Sequence, residues 1–133
     1  MSNPILTKKY HFCASHKYGN DHWSVDKNLE VFGKDYNNHG HNYILEVSVT
    51  GPVNSDTGWL VDLGVLNKIV KTNVVNILDH AQIEEDIAWF KGKQPSSEVI
   101  VVWIWDQIAK DFKEAELYRI RLVETHTIHT DYY

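Results

Sequence analysis

HGHNYILEVSVT, residues 39–50, is the stretch that decides the fold, because its apolar and polar side chains alternate as they do in a β-strand. Its odd positions from Tyr43 onward are apolar and define the face that packs into a core. His39 and His41 continue that face, since side chains two residues apart leave a strand in the same direction, and Gly40 leaves the space between them open. Two such imidazoles can bind one metal ion. A catalytic zinc site also needs a third protein ligand and an open position.

The third ligand has two candidates on a first predicted strand. Residues 5–15 alternate loosely, and this strand ends near His16. Its pairing with residues 39–50 would bring His16 beside the two histidines and give a three-histidine site with an open fourth position. Cys13 competes for the same role because a thiolate is a good zinc ligand, although a single cysteine in a strand is more often a small buried hydrophobic residue. Spacing alone leaves both candidates open.

Two helices are predicted in the middle of the chain. Asp62 can cap the first helix, whose apolar residues follow helical spacing and which ends near residues 78–80. The second helix starts at residues 95–98, with a serine as N-cap and a carboxylate in its first turn, and its apolar stripe continues to Phe112.

Two further alternating segments, residues 118–124 and 128–132, predict the closing strands. The polar stretch 17–38 is predicted to be a long loop, and loops of this length are more often functional than idle. The predicted order is therefore ββααββ. It indicates an α+β fold in which two helices cover one face of an antiparallel sheet.

Composition limits the classes of function. The chain has 133 residues, 43% hydrophobic side chains and five tryptophans, which is enough for one core and predicts a single domain over residues 1–133. A net charge of −5 argues against nucleic acid and anionic membranes as partners. The single cysteine excludes an internal disulfide. The N-terminus has no signal-peptide pattern and no stretch approaches ~18 apolar residues, so we expect a cytoplasmic protein.

Three more groups of polar side chains suit a functional site. Asp79-His80, at the end of the first helix, is either an acid/base pair or a polar helix terminus. Glu124 continues the apolar face of its strand, so its carboxylate lies either in water at the sheet edge or in a pocket that recognises a polar group. Ser96-Ser97-Glu98 opens the second helix, where free N–H groups and hydroxyls suit a cap or a ligand.

Taken together, these motifs closely resemble the 6-pyruvoyltetrahydropterin synthase family, which includes the bacterial 6-carboxytetrahydropterin synthases of queuosine biosynthesis. The resemblance runs in order over nearly the whole chain. The segments that carry it are residues 12–16, 32–34, 39–43, 57–59, 78–80, 95–98 and 124–125.

The resemblance implies a tunnelling fold, in which subunits join their sheet edges into a trimeric barrel and two trimers stack into a homohexamer. Active sites then lie between subunits. Closure of the barrel by oligomerisation would also cover the sheet edges that so short a chain leaves exposed.

The resemblance also implies roles for individual residues. Three histidines hold Zn²⁺ in the family, and they correspond here to His16, His39 and His41. The pterin ring is anchored by a glutamate that corresponds to Glu124, because a carboxylate matches a two-donor edge. The second pterin-contact segment corresponds to residues 96–98, that is, Ser96, Ser97 and Glu98.

The implied reaction is the conversion of 7,8-dihydroneopterin triphosphate, in which zinc acidifies neighbouring C–H and O–H groups and protein bases move protons while triphosphate is eliminated. Asp79 and His80 correspond to the family's acid/base pair.

Asp35 departs from the family pattern. Family members with synthase activity carry a catalytic cysteine at the position that follows Gly33-Lys34, and an aspartate is intrinsically a weaker base than a thiolate. Some relatives with a glutamate at this place resemble aldolases, which cleave the side chain to give 6-hydroxymethyl-7,8-dihydropterin. Three chemistries therefore remain: a synthase with Asp35 as its base, an aldolase, and a zinc-bearing pterin-binding homologue with little catalysis.

Overall fold

The computed structural model describes residues 2–133 and contains a four-stranded antiparallel sheet. The strands lie side by side in chain order, which confirms the predicted antiparallel arrangement. They are β1 (Ile5–His16), β2 (His39–Thr50), β3 (Glu116–Thr125) and β4 (Ile128–Tyr132).

One face of this sheet forms the core together with two long helices. The odd positions of β2 from Tyr43 to Val49 are completely buried, as the alternation predicts. The helices lie between β2 and β3 in sequence. The predicted caps, Asp62 and a serine within residues 95–98, are confirmed; the serine is Ser96, and both side chains accept a backbone N–H. The helices are α2 (63–78, with a π-helical turn at Lys71–Val75) and α4 (Ser97–Ala109).

The prediction of a loop over residues 17–38 is wrong in its middle. This segment contains α1 (Val25–Phe32) and a 3₁₀ turn at Gly33–Tyr36. Val25, Leu29 and Phe32 follow helical spacing and could have revealed the helix, although none of them is buried in the core. The one buried side chain of α1 is the amide of Asn28, which donates to three backbone carbonyls before and at the start of the helix. Ser24 caps the helix through its hydroxyl. A further short helix outside the ββααββ order, α3 (Ile83–Asp86), follows α2.

The chain that follows α2 runs along the outer edge of β1. The N–H of His80 donates to the carbonyl of Cys13, and the N–H of Ser15 donates to the carbonyl of Ala81 over 2.9 Å. These bonds cover part of an edge that would otherwise be free to pair with another strand. Within residues 2–133, no helix has the length and apolar character needed to cross a membrane.

Candidate metal and substrate site

Three histidines converge at the end of the sheet's core face. Strand register places His16 directly opposite His39, and His41 opposite Ala14. One ring nitrogen from each histidine lies within 4.8 Å of the others, and the Nε2 atoms of His16 and His41 are 3.1 Å apart. The three residues, which we call the histidine triad, are therefore positioned to bind a single metal ion.

Hydrogen bonds fix the ring orientation of two triad members. The Nδ1 atom of His16 lies 2.7 Å from the carbonyl oxygen of Pro95, and the Nδ1 atom of His39 lies 2.8 Å from that of Asn37. A carbonyl only accepts, so each Nδ1 carries the hydrogen and each Nε2 presents a lone pair. Burial lowers the pKa of His41, which favours the neutral, metal-binding form of that ring. The donor set fits Zn²⁺.

Cys13 does not belong to this cluster. Its side chain is exposed on the opposite face of β1, where the thiol donates to the Oδ1 atom of Asn42 over 2.8 Å. Of the two candidates for the third ligand, the structure therefore places His16 in the triad.

We expect Cys13→Ser to keep the metal content and the melting temperature of the unaltered protein, because serine preserves the hydrogen bond to Asn42 and the thiol is remote from the triad. Elemental analysis after dialysis and a thermal melt measure both. A loss of metal in this variant would show that the thiol is a ligand.

Glu124 lies beside the triad and not in water at the sheet edge. Its side chain is 14% exposed, and its Oε1 atom lies 3.4 Å from the Nε2 atoms of both His16 and His41. The alternation that continues from Leu122 to Glu124 thus directs a carboxylate into the pocket.

The start of α4 borders the same site through Pro95, whose carbonyl holds His16. Ser96 acts as the helix cap, and its hydroxyl accepts the N–H of Val99 over 3.3 Å. Ser97 is buried; its hydroxyl lies 2.9 Å from the hydroxyl of Thr130 and donates to Glu98 over 3.1 Å. These contacts fix the orientation of Ser97 and Glu98 near the triad.

Asp35 approaches the triad from the 3₁₀ turn. Its Oδ1 atom lies 3.7 Å from the Nε2 atom of His39, and its side chain is 60% exposed. The carbonyl of Asp35 accepts the N–H of Tyr18 over 2.8 Å, which ties the turn to the end of β1. A carboxylate therefore lies beside the metal-binding cluster.

Two tyrosines in this region are absent from the sequence-based site. Burial raises the pKa of Tyr18 to about 12, and the negative charges of Glu124, Glu98 and Asp35 act in the same direction. Burial, followed by the charge of Glu124, also raises the pKa of Tyr43. Tyr43 follows His41 by two residues on the same face of β2, and this spacing could have identified it.

Asp79 and His80 form a pair at the outer edge of β1. Asp79 accepts the N–H of Cys13 over 2.9 Å and lies 2.9 Å from the Nδ1 atom of His80, and these two contacts lower the pKa of Asp79. The His80 side chain is 82% exposed. His80 and His41 line one open cavity of about 330 Å³, but no hydrogen bond or ion pair among residues 2–133 joins this pair to the triad.

Comparisons with known proteins agree with this geometry. A family model described as 6-pyruvoyl tetrahydropterin synthase matches residues 5–133. The 6-pyruvoyl tetrahydrobiopterin synthase of Dictyostelium discoideum is 38% identical over 121 residues, which are 91% of this chain and 89% of that protein. The human protein of the same name is 32% identical over 122 residues, 90% and 84% of the two chains. The solved structure of Caenorhabditis elegans 6-pyruvoyl tetrahydropterin synthase superimposes with a TM-score of 0.87 at 28% identity, covering 99% of this chain and 97% of that one.

Proposed function

The chain belongs to the 6-pyruvoyl tetrahydropterin synthase family, and we propose that it is a zinc-dependent lyase that converts 7,8-dihydroneopterin triphosphate into 6-pyruvoyl- or 6-carboxy-tetrahydropterin. The observation that carries this proposal is the position of Glu124, a mostly buried carboxylate 3.4 Å from two of the three metal-binding nitrogens. A pterin presents two N–H donors on one edge of its ring. A metal site with a carboxylate acceptor beside it therefore suits a pterin substrate.

His16, His39 and His41 would hold the zinc ion, which supplies Lewis-acid activation of the substrate's side-chain oxygens when it is bound. The chain's own contribution is to hold one ring nitrogen of each histidine within 4.8 Å of the others. The carbonyls of Pro95 and Asn37 do this for two of the rings.

Glu124 would accept the two N–H donors of the pterin's guanidine-like edge, and residues 96–98 would contact the same ring. Burial of Glu124 makes each of these hydrogen bonds stronger than it would be in water. The hydroxyl of Ser97, held by Thr130, and the carboxylate of Glu98 are fixed before the substrate binds, which reduces the entropy lost on binding.

Proton transfer is assigned to Asp79, His80 and Asp35. Asp79 fixes the ring of His80 through Nδ1, so that Nε2 is the atom that exchanges a proton with the substrate. Asp35, 3.7 Å from His39, stands at the triad and would serve as the base in place of the family's cysteine. Because His80 is exposed at a sheet edge, we propose that subunits of a homohexamer build each site together.

Two alternatives keep the same metal and pterin contacts. Asp35 as a carboxylate base fits an aldolase-type cleavage to 6-hydroxymethyl-7,8-dihydropterin, which differs from the synthase in which bond of the side chain breaks. A zinc-bearing pterin-binding homologue with little catalysis is the third candidate, in which Asp35 marks the loss of the base.

Product analysis separates these three functions. Zinc-loaded protein is incubated with 7,8-dihydroneopterin triphosphate, and the pterins are resolved by chromatography and mass spectrometry. We expect a pyruvoyl- or carboxy-pterin; hydroxymethylpterin would instead establish the aldolase, and unchanged substrate with bound zinc would refute both enzymatic functions.

Asp35→Ala is expected to lower turnover by roughly 100-fold or more, because general base catalysis typically contributes at least that much. The half-exposed position of Asp35 makes a folding defect unexpected, and zinc content measured on the same sample checks this. Asp35→Cys restores the family's residue and is the matched variant. Full turnover in Asp35→Ala would exclude Asp35 as the base.

A further inference from the structure

Tyr43 carries a buried hydroxyl group that has no hydrogen-bond partner among residues 2–133. Its side chain is completely buried at the centre of β2. A buried hydroxyl without a partner destabilises a fold, and phenylalanine would fill the same space without that cost. Tyr10 shows the usual arrangement, since its hydroxyl donates to the Oδ1 atom of Asn67 over 2.6 Å. We therefore expect the hydroxyl of Tyr43 to gain a hydrogen-bond partner when a ligand binds in the neighbouring site.

The ring of Tyr43 is held rigidly beside the triad. It stacks on Phe12 with ring centroids 4.9 Å apart, and it meets the ring of His41 edge-on at 5.5 Å. Ile44 pairs with Val123, so the next residues along the two antiparallel strands, Tyr43 and Glu124, are cross-strand neighbours on the core face.

Glu124 receives no hydrogen bond from His16. The Nδ1 hydrogen of His16 is used on Pro95, so the Nε2 atom that lies 3.4 Å from the Glu124 carboxylate presents a lone pair, and two lone pairs repel. Once a cation occupies the triad, those nitrogens are committed to it. The O–H of Tyr43 has no acceptor among residues 2–133, and the carboxylate of Glu124, its cross-strand neighbour, can accept it.

We propose that Tyr43 is a positioning residue, whose hydroxyl donates to Glu124 when metal and pterin fill the site and so aims that carboxylate at the pterin's two N–H groups. This inference rests on the proposed function. The competing acceptor is Glu84, whose Oε2 atom is also buried without a partner while its Oε1 atom accepts the N–H of Lys17.

Neopterin binding to zinc-loaded protein tests the inference, with Tyr10→Phe as the matched control. We expect Tyr43→Phe to weaken neopterin binding by about 10- to 100-fold, the typical effect of losing a hydrogen bond to a charged group, with unchanged zinc content and no fall in the melting temperature of the metal-free protein. Tyr10→Phe should do the opposite: it removes a bond that is already formed, so its melting temperature falls while neopterin affinity stays.

The partner of Tyr43 is identified by repeating the substitution in two backgrounds. In Glu124→Gln protein, Tyr43→Phe should add little further loss of affinity, whereas in Glu84→Gln protein it should have its full effect. Equal neopterin affinity in Tyr43→Phe and unaltered protein overturns the inference, and so does a full effect in the Glu124→Gln background. If the unaltered protein binds zinc but no neopterin, the proposed function fails and the inference fails with it.

Discussion

His39→Ala protein is expected to bind Zn²⁺ at least about 100-fold more weakly than the unaltered chain. Loss of a residue that only orients a metal ligand costs roughly 10- to 100-fold in affinity, so loss of the ligand itself should exceed that range. His39 is the right triad member to test because its side chain is 30% exposed, whereas His16 is completely buried and its truncation would leave a cavity in the core.

The control for this substitution is His22→Ala, which removes an exposed histidine outside the triad. Zinc competition with a chromophoric chelator measures both affinities. If His39→Ala retains stoichiometric zinc at the affinity of His22→Ala, the metal is bound elsewhere and the three-histidine site is refuted.

His80→Ala is expected to lower turnover by roughly 100- to 10,000-fold, the range that a positioned acid or base contributes, without changing zinc or neopterin affinity. The separation of effects follows from the structure, because His80 bonds to Asp79 and Cys13 at the outer edge of β1, and no hydrogen bond or ion pair within residues 2–133 joins it to the triad. Steady-state kinetics together with the two binding measurements test it. A parallel loss of zinc would mean that His80 supports the metal site.

Mixing two inactive variants then shows whether sites are shared between copies. His39→Ala and His80→Ala chains are unfolded and refolded together. If His80 of one subunit acts at the triad of another, this mixture should regain activity, because about a quarter of randomly paired sites combine an intact triad with an intact His80. No recovery, with mixed oligomers verified by mass spectrometry, would place the complete site within one chain.

The part of the site that could be predicted from sequence depends on strand periodicity. His39 and His41 continue the buried face of β2, and Glu124 continues that of β3, so the two-residue period by itself places all three on one side of the sheet. The antiparallel register then brings His16 opposite His39. Such patterns are visible because every second residue obeys the same burial rule.

The rest of the fold and of the site depends on contacts that leave no periodic pattern in the sequence. In α1 the apolar residues Val25, Leu29 and Phe32 have helical spacing, but Val25 and Leu29 are exposed and the one buried residue is the polar Asn28. The burial of this helix therefore does not follow its hydrophobic pattern. Asp79 and His80 reach the edge of β1 only because α2 ends there. The role of Tyr43 rests on a missing hydrogen bond, which no sequence displays.

The most direct test of a zinc-dependent pterin lyase is the release of inorganic triphosphate from 7,8-dihydroneopterin triphosphate by one protein sample in three states: as purified, after removal of metal with a chelator, and after return of Zn²⁺. We predict that release falls to the background rate when the metal is removed and recovers when Zn²⁺ is added, but not when Mg²⁺ is added. Undiminished triphosphate release by metal-free protein would contradict this account.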